Sequence, residues 1–474
     1  MLRQVLTVAL MIGLAGGSAL GFSVSADGDR SLNGGANLVA DAAAETITPT
    51  GTGTSADPYV YDWDDIDGVG TDATDNLVLG SSKVANGNGG SFTLKLTNGN
   101  GKGDITGNSG GLALSTHRTD STWNPGTAGT LRLYAVNDVL CGGLDSGRQQ
   151  RSSSTPAGGS GSVIVGEATD RAGDVRVDFV YTNYVNLAAA DNGYSDARGA
   201  SGAFTVHSTG DVKVQTSGGA LGAIYTWSRG SENGQIDVLH DGEFRCSEIN
   251  ARAGSAYTAS CRTRSVTLDG DVLDNGASGP CHIEGDLFHA QTRNGYGFAN
   301  RPLTIKGYTS AYVGGDVSTY HASAATGRGN HGGNISITEI EGDIVIAGAV
   351  DAHATATDAN DGTVTLQTTG STIEIGELDC DLVKEVVFDN ASGDNYVYAL
   401  LNFDTADPLN CNVTAPDQLV WYHSGLSGMS GIYDIADGGI VLPIGSRDPR
   451  LIPEPAGLGL MGLALVGLKR RKRR

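Results

Sequence analysis

The chain has 474 residues, of which 71 are Gly, 18% are charged and 6% aromatic, with a formal net charge of −22 at pH 7. Glycine at about twice its usual share, without a strict three-residue period, excludes collagen and speaks against a mainly helical protein, because each interior Gly costs about 1 kcal/mol in a helix. The acidity excludes a nucleic-acid binder, which needs a basic face for phosphate.

At the N-terminus, Arg3 precedes an apolar run from Val5 to about Leu20, and Val24-Ser25-Ala26 supplies small residues suited to cleavage. Residues 1–26 therefore read as a secretory signal peptide rather than a retained membrane helix. Residues 27–89 form a polar leader passing into an N-terminal cap, which begins near Asp57-Pro58-Tyr59-Val60-Tyr61-Asp62-Trp63.

Residues 90–380 carry a repeat. A phrase of Gly, any residue, apolar, any residue, apolar starts at Gly90, Gly129, Gly161, Gly202, Gly234, Gly333 and Gly362, and with Arg in place of Gly at Arg264 and Arg301. Successive starts lie 29 to 41 residues apart. The alternation is that of a half-buried strand. A second phrase, Gly-Asp-apolar, follows at Asp104, Asp174, Asp211, Asp271, Asp286, Asp316 and Asp343, and a polar stretch closes each unit. Gly followed by Asp makes a tight corner before a short strand. A unit of strand, corner, strand, corner and loop cannot bury its apolar stripe alone, but stacked units can. The expected fold is all-β: a parallel β-helix (β-solenoid) of about nine coils with terminal caps. A propeller, with four strands per blade and aromatic signatures, or a string of antiparallel sandwiches is the rival architecture.

Six Cys in an exported chain permit three disulfides. Cys141 and Cys246 lie three coils apart, about 14 Å, too far to bridge. One pair among Cys246, Cys261 and Cys281 is open, Cys380 and Cys411 could staple the C-terminal cap, and the alternative is buried free thiols. The nine His are scattered, without His-Glu-x-x-His or zinc spacing. Asp174, Asp211, Asp271, Asp286, Asp316 and Asp343 share a place in the repeat. If stacked along one edge they could hold Ca²⁺ or act as the carboxylates of a polysaccharide lyase or hydrolase, against the plainer reading of turn-forming Asp. No catalytic or metal-ligating residue is assigned, no cofactor beyond the Ca²⁺ candidate is expected, and the chain is not expected to be an enzyme.

Residues 381–450 drop the glycine phrase and read as a C-terminal cap and linker. Residues 451–474 hold Pro453-Glu454-Pro455, an apolar run from Ala456 to Leu468, and the basic tail Lys469-Arg470-Arg471-Lys472-Arg473-Arg474. Thirteen apolar residues span roughly 20 Å as a helix, a short transmembrane anchor with its cations held inside. This tripartite end resembles the PEP-CTERM sorting signal. The resemblance implies export in a bacterium with a double-membrane envelope, recognition of Pro453, Glu454 and Pro455 by a membrane protease of the exosortase type, and association with extracellular polysaccharide and biofilm. Without Arg3, Glu454 and the six terminal cations, the remaining chain carries −28 rather than −22. Such a chain reads as a structural or adhesive protein of the cell envelope or extracellular matrix, with polysaccharide or other surface proteins as partners. A polysaccharide-active enzyme on the same scaffold is the alternative.

Overall fold

The computed structural model describes most of residues 104–401, with its main breaks at 121–127, 151–158, 187–199, 255–262, 291–300, 321–331 and 355–360, and the backbone of short strands outside that range. Among the described residues no helix is long and apolar enough to cross a membrane. Residues 1–21 and 451–474, with both proposed membrane-active segments, lie outside them, as do Cys261, Cys380 and Cys411.

The chain winds as a parallel β-helix with three faces. The first face is a twelve-stranded parallel ladder of Tyr59–Asp64, Phe92–Thr97, Leu131–Tyr134, Val163–Val165, Phe204–His207, Ile236–Leu239, Val266–Asp269, Leu303–Tyr308, Ile335–Ile340, Thr363–Thr368, Glu385–Asn390 and Asn412–Thr414. Each of these strands opens one coil, numbered 1 to 12. The nine glycine phrases fall on coils 2 to 10 without a gap. The second face continues through strands such as Val139–Cys141, Val175–Val177, Val212–Val214 and Phe244–Cys246. The third includes Gly143–Asp145, Val180–Tyr181, Ala223–Tyr225 and Glu248–Asn250. In coil 9 one strand, Ile344–Asp351, runs through both faces.

The ladder extends beyond the phrase region because alternation outlives the glycine. Val364 pairs with Val386 and Leu366 with Phe388, all fully buried, although Lys384 stands one residue before that strand where a glycine would open the phrase. At each end an antiparallel hairpin follows the last parallel pairing. Phe22–Val24 with Arg30–Leu32 joins Leu77–Leu79, and Tyr433–Ile435 with Gly439–Pro443 joins Leu419–His423. Such ends close the open edges of a solenoid.

The interior is a set of stacked columns. On the first face Leu131, Val163, Phe204, Ile236, Val266, Leu303, Ile335 and Val364 follow one another in register, each at 0% exposure. Burying each such side chain contributes about 1.5–3 kcal/mol, and branched residues suit the pleated surface.

The phrase glycines are needed for close approach. A Cβ on Gly161 would lie 1.8 Å from the Gly129 carbonyl oxygen, one on Gly202 1.6 Å from that of Gly161, and one on Gly234 1.7 Å from that of Gly202. The corner entering these glycines is sealed from inside by buried polar side chains. Ser146 Oγ donates to the Gly161 carbonyl at 2.7 Å, Thr182 Oγ1 to Gly202 at 2.6 Å and Thr319 Oγ1 to Gly333 at 2.5 Å. In coil 7, where Arg264 replaces the glycine, the buried His289 meets the Arg264 carbonyl instead.

A second buried imidazole bridges coils at the first corner. Gly270 leaves no side chain in coil 7, so the Tyr308 ring of coil 8 covers it; a Gly270 Cβ would lie 2.5 Å from that ring. The Tyr308 hydroxyl thereby reaches His240 Nε2 of coil 6 at 2.9 Å.

Cys141, Cys246 and Cys281 are buried free thiols. This corrects the open pairing within the Cys246, Cys261 and Cys281 set for its two described members. Cys281 lies opposite Phe244, two residues from Cys246. That offset puts the two Cα atoms about 8 Å apart, past the limit for a bridge. Burial also pushes the Cys141 thiol up to about 12, leaving almost no reactive thiolate. We expect iodoacetamide to spare all three in native buffer and to label all three in denaturant without reductant. A peptide linking Cys246 to Cys281 in the mass map would refute the register.

Candidate functional site

The aspartates named from the repeat do not share one place. Asp104, Asp174, Asp211 and Asp343 each stand directly before a second-face strand. Asp286 and Asp316 stand before third-face strands, one corner further on. Asp271 belongs to neither series: its carboxylate accepts the N–H groups of Asn275 at 2.8 Å and Gly276 at 3.1 Å within a local loop.

At the first corner the acids form a relay. Asp104 Oδ1 accepts the Asp138 N–H at 3.1 Å, Asp138 Oδ1 the Asp174 N–H at 2.7 Å, Asp174 Oδ1 the Asp211 N–H at 2.9 Å, and Asp211 Oδ1 the Glu243 N–H at 2.8 Å. Asp286 and Asp316 repeat the device at their own corner, accepting from Asp316 at 2.9 Å and Ala349 at 2.8 Å. Asp is preferred because its short side chain reaches one rung along the axis and pairs an N–H at the bend between ladders. Asp138 follows Asn137 rather than Gly, so the Gly-Asp phrase misses it; the alternating Val139-Leu140-Cys141 behind it is the signal that finds it.

Beside this acidic column runs a basic one. On the outward side of the second face Arg176, Lys213, Arg245 and His282 are consecutive ladder partners. Lys213 Nζ lies 2.6 Å from Asp211 and 2.7 Å from Glu243. Burial alone would raise the Asp211 carboxyl, but Lys213 and the Glu243 N–H together hold it below its ordinary value. Asp138 lacks such a cation. Burial raises its carboxyl, and Asp104 and Asp174 add to the rise against the opposing Asp174 N–H. Lys213 ties the two columns together at Asp211 and Glu243, and the carboxylates of Asp104, Asp138, Asp174 and Asp211 are each committed to an N–H. Among the described residues no group of three or more His, Cys, Asp or Glu side chains is placed to hold a metal ion.

Acids, bases and an aromatic residue do come together elsewhere, on the outward side of the first face across coils 3 to 6. Tyr134 Oη donates to Glu167 Oε1 at 2.5 Å. Burial and the Glu167 carboxylate both raise the Tyr134 phenol. His207, held low by burial and then by the Arg171 guanidinium, also feels Asp237 and Glu167. Arg171 Nη1 faces Asp241 Oδ2 at 3.8 Å, with the Asp241 side chain 5% exposed and both atoms lacking a hydrogen bond. Nothing in the repeat phrases marks these residues. Glu167 and Arg171 sit in a corner segment, 166–173, that departs from the repeat in length, and Tyr134, His207 and Asp241 come to it from coils 3, 5 and 6.

One edge of the third face carries planar side chains. Tyr181 and Tyr225 stack at 5.2 Å and 9°, and Phe179 lies 4.5 Å from Tyr181, over Gly143. Arg252 Cζ sits 4.4 Å above the Phe288 ring, and Tyr320 and His353 rings lie 4.5 Å apart.

Comparison with known proteins agrees with the reading of the C-terminal end. Residues 451–474 match the family described as the PEP-CTERM protein-sorting motif. The chain matches no curated protein and no solved structure. Pro453, Glu454, Pro455 and the basic tail all lie within the matched segment, which is the chain's own address for export and sorting at the cell surface by exosortase-type machinery.

Proposed function

We propose that this chain, a bearer of the PEP-CTERM sorting motif, is a rod-shaped structural or adhesive protein of the cell envelope or extracellular matrix. The observation that carries the reading is the pairing of that motif with a regular β-helix whose repeated carboxylates are spent on the fold. Asp174, Asp211, Asp286, Asp316 and Asp343 each accept a backbone N–H from the next coil, which is the work of scaffold residues rather than of a reaction centre. A rod of twelve rungs at about 4.8 Å is roughly 50 Å long and offers a long lateral surface. A net charge of −28 on the chain without its leader and sorting tail keeps it soluble and repels polyanions.

The reading predicts that deleting residues 453–474 moves the protein from the envelope fraction to the culture medium. Substituting Glu454→Ala should leave the uncut precursor in the membrane fraction. Unchanged fractionation and unchanged mass for both variants would defeat it.

A second reading, a polysaccharide-active enzyme on the same rod, is favoured by one observation: the juxtaposition of Tyr134, Glu167, Arg171, His207 and Asp241. Steady product formation from any of a panel of neutral and acidic polysaccharides, abolished by Glu167→Gln, would replace the structural reading with this one.

A further inference from the structure

The third face holds a regularity that the repeat phrases do not encode. Its outward column runs in ladder register through Asp145, Tyr181, Tyr225, Asn250, Phe288, Ser318 and Asp351. The adjoining column, two residues on, contributes Arg252, Tyr320 and His353. Each of six consecutive coils, 4 to 9, thus supplies at least one planar side chain to this edge, with Phe179 beside Tyr181 in coil 4 and Trp227 two residues after Tyr225 in coil 5. They meet in three pairs: Tyr181 on Tyr225 across coils 4 and 5, Arg252 on Phe288 across coils 6 and 7, Tyr320 against His353 across coils 8 and 9. Every pair spans one step between coils, so the pairs recur every second coil, about 10 Å along the rod.

We infer that this edge of the third face, along Tyr181, Tyr225, Arg252, Phe288, Tyr320 and His353, is a binding strip for an extended, uncharged polysaccharide lying parallel to the rod axis. The inference rests on the reading of the chain as an exported surface protein and names its partner.

Four features select that occupant. The strip is long and only two neighbouring columns wide, which fits a linear polymer better than a globular partner with a broad apolar core of contact. Its period of two coils matches the two-sugar repeat of an extended chain. Its chemistry sets part-exposed rings beside hydrogen-bonding groups, as a pyranose sets C–H groups beside hydroxyls. Its rings are also held before any ligand arrives: Tyr225 Oη donates to Glu248, Arg252 Nε to Asn250 Oδ1 at 3.0 Å, and His353 Nδ1 lies 2.8 Å from Asp351 Oδ1. Rings fixed in this way cost little ordering entropy on binding.

Charge decides between neutral and acidic polymers. Arg252 is the one fixed cation among the six, and Asp145, Glu248 and Asp351 lie along the same edge, on a chain of net charge −22. A uronate or sulfated chain would be repelled.

The test is affinity electrophoresis of the full chain, purified from envelope membranes in mild detergent. Native gels would be cast with three uncharged glycans (a soluble β-1,4-glucan derivative, a galactomannan and an α-glucan) and with alginate as the polyanion. At least one neutral glycan is expected to retard the chain, and alginate is not. Tyr181→Ala with Tyr225→Ala should weaken the apparent affinity at least tenfold, and Tyr320→Ala alone, in a separate pair, should weaken it severalfold. Leu273→Ala, an exposed side chain on the first corner, should leave it unchanged. Retention by none of the neutral glycans, stronger retention by alginate, or equal retention of wild type and both sets of ring variants would overturn the inference. Sedimentation with a neutral glycan that survives every ring substitution would assign binding to another surface. Fractionation of the same cells keeps the two readings apart: an envelope-located chain that binds no glycan sinks only this inference, and a chain found in the cytoplasm sinks the surface-protein reading.

Discussion

Lowering the pH from 6.5 to 4 is expected to remove about 3 kcal/mol of stability for each of two buried histidines, His240 and His289. Both are at 0% exposure, and burial lowers each imidazole to about 4. His240 feels the Gly210 carbonyl and then the Asp211 and Asp269 carboxylates, which oppose the fall without cancelling it. Because the folded value lies below the unfolded one, the unfolded chain binds more protons between pH 6.5 and 4. Stability is therefore complete above pH 6.5 and declines through that window. His353 works in the opposite sense. Burial lowers it, but Asp351 and then Asp361 and Asp379 raise it above its ordinary value, so its contribution is present at low pH and fades as pH rises through the folded value. It is partly exposed, and solvent screening keeps that contribution small. Urea unfolding at pH 7 and pH 4.5 measures the balance. The midpoint should fall steeply for the wild type and distinctly less for His240→Gln and His289→Gln, whose amides can hydrogen-bond but do not titrate. Equal pH slopes in wild type and variants would reject the assignment. The Tyr308 partner adds a second readout, since Tyr308→Phe leaves His240 Nε2 without its 2.9 Å contact and should itself cost about 1–3 kcal/mol.

Adding one methyl group at Gly202 should destabilise the rod by about 3 kcal/mol or more. The new Cβ would sit 1.6 Å from the Gly161 carbonyl oxygen, 2.2 Å from its carbonyl carbon and 2.7 Å from the Ser162 nitrogen. All three are backbone atoms of the neighbouring coil, so no rotamer change relieves the clash and coils 4 and 5 must part locally. Parting them breaks the in-register stack of Val163 on Phe204 and Val165 on Val206, and stability in a solenoid depends on such nearest-neighbour interfaces. Gly111→Ala is the control: nothing lies within 4 Å of its Cβ position, and its thermal midpoint should stay within about 2 °C of wild type. A Gly202→Ala protein as stable as that control would mean that the glycines are not required for close coil packing.

These two expectations mark how far the sequence could be read. The alternation of Gly161-Ser162-Val163-Ile164-Val165 and its eight counterparts was legible, because side-chain direction on a strand follows sequence parity alone. All nine phrases accordingly lie on one ladder. Coils 1, 11 and 12 were harder to see: Lys384 precedes Val386 and Phe388 without the glycine that marks the other phrases. The Gly-Asp phrase was legible as a corner, but Asp174 and Asp286 occupy different corners because the loops between faces vary in length and shift the count. The mixed cluster at Tyr134, Glu167, Arg171, His207 and Asp241 spans more than 100 residues of sequence, and no local pattern connects its members.

From the sequence alone came the export address at Pro453-Glu454-Pro455 and its basic tail, the all-β stacked character and the acidity. Each depends on residue order or composition within a short window. Tertiary structure decided everything that depends on register between coils: that Cys281 faces Phe244 and not Cys246, that Tyr308 crosses Gly270 to reach His240, and that the Asp carboxylates are spent on backbone N–H groups. It also placed a run of planar side chains from coils 4 to 9 on a single edge. The physical reason is common to all of these. In a β-helix the neighbours along the axis are separated by some thirty to forty residues of chain, and the loops that set this spacing differ from coil to coil, so contacts one rung apart are invisible until the winding is known.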